Sequence, residues 1–117
     1  MQQQERAVFV LTIGLAFAFG FIGVDKYLHP QLWIQWIPSW LDGTLNMTTD
    51  MWLKITAGVE IFMAAMILLP MRNVRMAGSV LMVLHMLIVL WHTGLFNDIG
   101  ARDFGLLAAA VALSALL

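Results

Sequence analysis

The placement of charge constrains this chain more than any other feature. Ala7–Val24 contains no charged residue, and at a helical rise that run covers about 27 Å, enough for the hydrocarbon core of a bilayer. Met51–Leu69 and Met76–Phe96 are two further apolar runs, and Lys54 and Glu60 are the only formal charges inside them. Only 11% of the residues are charged against 62% apolar, too few to cover a soluble domain. Nor can a chain of 117 residues hide so much apolar surface in a core of its own. Lipid must be the solvent. The expected fold is all-α: one integral membrane domain, an antiparallel four-helix bundle with spans near 7–25, 51–69, 76–96 and 100–117.

The connections follow from the same reading. The start, Met1–Arg6, is short and polar, and the run after it has no small-residue cleavage pattern before Asp25-Lys26. It reads as a retained span rather than a cleaved signal peptide. Ala16-x-x-x-Gly20 offers a small-residue face for close helix contact. Asp25–Asp50 is long but apolar, with Trp33, Trp36, Ile37 and Trp40 at helical spacing and Pro30 and Pro38 breaking it. Indole rings favour the headgroup level, so this stretch is expected to lie in the interface as a short amphipathic piece. It serves either as an aromatic anchor or as a lid over a lipid-like substrate. Asp42-Gly43 signals a turn, and Thr48-Thr49-Asp50 supplies N-caps for the second span. Phe104–Leu117 makes only about 21 Å of helix, so the last helix is expected to begin near Ile99.

Antiparallel spans divide the six bases evenly, Arg6, Arg72 and Arg75 against Lys26, Lys54 and Arg102. The short turn between the second and third spans concentrates two arginines, which favours cytoplasmic termini. A formal charge of −1 gives no basic field for nucleic acid. The absence of cysteine removes disulfides, thiolate metal sites and CxxC redox chemistry by this chain.

Three residues resist classification as span, interface or connection: Glu60, His85 and His92. In a hairpin of helices, residues equally far from the turn lie at one depth. Glu60 and His85 are equidistant from a centre between Arg72 and Asn73, about 18 Å away. A carboxylate facing lipid costs several kcal/mol, so both should turn inward, and a hydrogen-bonded Glu60–His85 pair is expected. His92 shares the face of His85 nearer the far side, where Lys26, Arg102 and Asp103 form the mouth of the site. Two readings of the pair stay open. It is a polar clamp between helices, or it is the site of a quinone or other lipid-soluble molecule, with His85 or His92 on a carbonyl and Glu60 handling protons. Bis-histidine haem is disfavoured because His85 and His92 share one helix and face. Zinc lacks a third ligand beside Glu60 and His85. Ser79 and Ser114 have no nucleophile context, so no catalytic residues are assigned, and the chain is not expected to be an enzyme alone.

Several stretches together resemble the DoxX family of small four-helix membrane proteins. They are Arg6 and Gly14 before Phe17-x-x-Gly20, the string Phe19-Gly-Phe-Ile-Gly-Val-Asp-Lys-Tyr-Leu-His-Pro30, Gly58-x-Glu60, the basic turn, and Arg102-Asp-Phe-Gly-Leu-Leu107. The tryptophan-rich first loop and the short last helix fit the family less well. The resemblance implies a four-helix membrane bundle, with some members attached to quinone- or thiosulfate-linked redox complexes. Membrane or soluble redox subunits then become expected partners beside the bilayer. Two other functions remain open: a small proton-coupled transporter of amphiphiles, which would have to form a homo-oligomer to enclose a pathway, and a purely structural membrane scaffold.

Overall fold

A computed structural model describes residues 2–94 and 96–117. Met1, in the polar start, and Leu95, in the expected third span, lie outside the described residues. The described residues form four α-helices and no strand: α1 (Gln2–Leu28), α2 (Thr49–Leu68), α3 (Arg72–Thr93) and α4 (Asp98–Leu116). All four are long and apolar enough to cross a membrane. Their outward side chains include Phe9, Phe17, Phe62, Ile88 and Trp91, all exposed. With a mean hydropathy of +0.87, the composition is that of a multi-pass membrane protein.

The helix ends follow local chemistry. Thr48 caps α2 by accepting a hydrogen bond from the Met51 amide at 3.3 Å. Pro70 follows its last turn. The basic turn is shorter than expected, because Arg72 and Arg75 already belong to the first turn of α3. Gly94 ends α3 with φ +83°, a conformation open to glycine. Asn97 caps α4, accepting from the Gly100 amide at 2.7 Å. That cap starts the last helix at Asp98 and gives it nineteen residues, about 28 Å at a helical rise.

The long connection departs from expectation. Trp33, Trp36 and Trp40 do not share a continuous helix. The stretch is a chain of 3₁₀ turns at Pro30–Leu32, Ile34–Trp36, Ser39–Leu41 and Thr44–Asn46. Pro38 lacks the amide that a continuing helix needs and precedes the third turn. Gly43 turns the chain with φ +83°, and Asp42 accepts a hydrogen bond from the Thr49 amide at 3.1 Å.

Each helix has two principal neighbours: α1 packs on α2 and α4, and α3 packs on α2 and α4. The core joins Leu15 and Phe19 of α1, Met63 and Ile67 of α2, Met82 and Met86 of α3, and Ala110 and Leu113 of α4. Close approach does not use Gly20, the expected position, since nothing lies within 4 Å of where its Cβ would stand. It uses Gly23, where a Cβ would meet the Ala57 carbonyl oxygen at 2.8 Å, and Gly78, where it would meet Met66 Cβ at 2.8 Å. The end holding the N-terminus and the α2–α3 turn is tied by polar contacts. Arg75 donates from Nη2 to Thr12 Oγ1 at 2.8 Å and from Nε to the Ile67 carbonyl at 3.0 Å, and Gln4 donates to the Leu116 carbonyl at 2.9 Å. The other end is hollow.

Candidate functional site

The hollow end contains a cavity of about 250 Å³. All four helices and the 3₁₀ segment contribute to its lining. Glu60, His85, His92, Lys26, Arg102 and Asp103, six residues singled out in the sequence, all line it. The rest of the wall is chiefly apolar and aromatic, including Ile22, Leu53, Met86 and the indoles of Trp33, Trp36 and Trp40.

Glu60 sits near the middle of α2 and is 2% exposed. Its partner is not the one expected. Lys26, from the last turn of α1, donates to Glu60 Oε1 and forms an ion pair with it. Gly23 allows this, because it brings the end of α1 close to Ala57, one turn before Glu60. The flexible lysine stem then covers the remaining depth. Lys26 is therefore not at the mouth of the cavity: its side chain is only 12% exposed and points inward.

Depth arithmetic does bring His85 level with Glu60. Nε2 stands 3.9 Å from Glu60 Oε2, too far for a hydrogen bond. That nitrogen is buried and has no hydrogen-bond partner among the described residues. The expected Glu60–His85 hydrogen bond is corrected accordingly: Lys26 takes the carboxylate and leaves the imidazole level with it but unpaired. The imidazole packs edge-on against Phe19, with ring centroids 6.3 Å apart. His92, two turns along α3, lines the cavity but is exposed.

A second pair mirrors the first. Asp103, 2% exposed, accepts from the Nε and Nη2 of Arg102 at 3.0 and 2.8 Å. Each buried carboxylate thus has its own cation, and burying a pair costs far less than burying either charge alone.

Sequence reading missed the part played by Trp33. Lys26 and Arg102 both lie over its ring, 5.6 and 5.4 Å from the centroid. Its Nε1 donates to Asp25 Oδ2 at 2.7 Å, and the other Asp25 oxygen lies 2.9 Å from His29 Nδ1. Trp33 ties the 3₁₀ segment to both cations and to the end of α1. The four-residue spacing of Asp25 and His29 hinted at this knot, but nothing local predicts that one indole meets cations from two distant helices.

Ser79 and Ser114 lie 3.0 Å apart and bond to the carbonyls of Met76 and Ala110, bridging α3 and α4 with no base beside them. Among the described residues no three His, Asp or Glu side chains group in a way that could hold a metal ion. The arrangement suits non-covalent binding of a molecule with an apolar body and one hydrogen-bonding group. A comparison of the chain with protein-family models, curated proteins and solved structures finds no match.

Proposed function

We propose that this protein binds the uncharged, hydrogen-bonding headgroup of a quinone-like lipophilic molecule, as a non-catalytic module of a membrane redox complex. The observation that carries the reading is the buried, unpartnered His85 Nε2 on the wall of an apolar cavity. A buried polar atom without a partner costs about 1–3 kcal/mol, and a ligand carbonyl or hydroxyl in the cavity offsets that cost. Which of the two it meets depends on the imidazole tautomer. Lys26, as the proton-bearing partner, and the Glu60 carboxylate, as the acceptor, stand on the wall of the same cavity. The resemblance to the DoxX family supports attachment to a redox complex in the cell membrane.

In this reading the helices form an antiparallel bundle with both termini cytoplasmic. The tryptophan segment lies in the opposite interface as the cover of the site. The hydrogen bond from Tyr27 at the end of α1 to the Lys54 carbonyl near the start of α2, and the contact between Gln4 and Leu116, support the alternation of direction.

The paired charges bear on the transporter reading. A lipophilic cation would need a free carboxylate, and Lys26 and Arg102 already occupy Glu60 and Asp103. An uncharged headgroup meets no such competition. The test is purification in mild detergent, extraction and identification of bound quinones, and titration with a decyl-substituted benzoquinone followed by tryptophan fluorescence. Saturable quenching that weakens about tenfold in His85→Ala is expected, the equivalent of about 1.4 kcal/mol. A quinone-free product without saturable quenching and without co-purifying redox proteins would refute the proposal.

A further inference from the structure

The cavity occupies about 250 Å³ at the hollow end of the bundle. Its wall is not closed. Trp40 and Ile88 both line it, and they are 68% and 71% exposed. They therefore form its rim. Ile88 lies on the outer face of α3 with Leu84, Leu87 and Trp91, all exposed and apolar. The opening between the Ser39–Leu41 turn and α3 thus gives onto a side of the bundle that suits hydrocarbon, with His92 beside it.

We infer that this opening is a lateral window: the ligand is a tailed lipid whose ring lies inside against His85 while its chain passes between Trp40 and Ile88 to rest on the outer face of α3. The inference builds on the proposed headgroup site and adds the class of ligand and its route. Outside the cavity, an apolar chain stays clear of the two ion pairs on the cavity wall. Through the window it meets Ile88, Leu87 and lipid, with His92 beside it. A molecule in the bilayer reaches the site without crossing water.

The experiment uses the full chain in phosphatidylcholine nanodiscs and two photoreactive benzoquinones with a decyl tail. One carries an azide on the ring, the other a diazirine at mid-tail, and labelled residues are mapped by mass spectrometry. The ring probe should label cavity residues, and the tail probe should label Trp40 or the Leu84–Trp91 face of α3. Ile88→Trp, which narrows the window, should abolish ring labelling, whereas Leu84→Trp, outside the cavity, should retain it. Ring labelling in the cavity with tail labelling at α1 or deep within the cavity overturns the window and leaves the headgroup site standing. The same holds if Ile88→Trp labels normally. Diffuse labelling of all lipid-exposed faces by both probes overturns the headgroup site, and the window with it.

Discussion

Lys26 and Glu60 are joined in an ion pair between the last turn of α1 and the middle of α2, and His85 stands 3.9 Å from the carboxylate oxygen that Lys26 does not take. This relationship sets the character of the site. It leaves the cavity wall with no net charge from the pair and with the His85 Nε2 unpartnered among the described residues.

Lys26→Met should be the most damaging single change at the site. It leaves Glu60 buried and without its counter-charge, and breaking a buried pair in this way costs about 3–5 kcal/mol. Lys26→Met combined with Glu60→Gln should recover most of the loss. Thermal unfolding in detergent measures both, and a double variant no better than Lys26→Met would show that the pair is not coupled.

Glu60→Gln and His85→Ala should be close to additive. The two side chains are neighbours without a shared hydrogen bond, so their interaction energy should fall well below that of Lys26 with Glu60. A double-mutant cycle on unfolding midpoints gives the comparison. Coupling as large as that of the lysine pair would mean that the imidazole bonds the carboxylate after all.

Gly23→Leu should separate α1 from α2. Even a Cβ there would stand 2.8 Å from the Ala57 carbonyl oxygen, and the backbone cannot yield cheaply. Overpacking of this kind costs about 1–3 kcal/mol, and Lys26 should lose its reach to Glu60. Gly20→Leu, at an open position, should be nearly neutral. Equal effects of the two would place the close contact elsewhere.

Trp33→Leu should free the 3₁₀ segment while sparing the bundle. It removes the hydrogen bond to Asp25 and the ring beneath Lys26 and Arg102. Amide exchange over residues 30–46 should accelerate, with α2 and α3 unchanged. Unaltered exchange would mean that the segment is held by its other contacts.

Arg75→Met should destabilise the solid end by about 1.5–3 kcal/mol, the worth of hydrogen bonds from a charged donor. The guanidinium reaches Thr12 on α1 and the Ile67 carbonyl on α2. Arg72→Met, at an exposed position, should change little. Thermal midpoints of the two variants would separate an arginine that ties helices together from one that does not.

How much of this was legible beforehand differs from residue to residue. Glu60 and His85 came out level because helical rise and a short turn fix depth, and both properties are local. The cap at Thr48 was readable for the same reason, since it involves a side chain and an amide three residues on. The 3₁₀ turns of the tryptophan segment were not readable. Spacing suggested a helix, and the prolines and Gly43 divided it into pieces too short to show any period.

The sequence by itself determined that four apolar helices form, the last long enough to span only if it starts near Ile99, and that Glu60, His85 and His92 need an explanation. Those results depend on composition, rise and local capping. Only the tertiary structure decided which polar residue meets which. Gly23 let α1 approach closely enough for Lys26 to claim Glu60, and Trp33 drew the connection over the hollow end between two cations. Both outcomes rest on contacts between distant parts of the chain, where a difference of one turn in depth decides the partner and leaves the cavity-lining His85 Nε2 unsatisfied among the described residues.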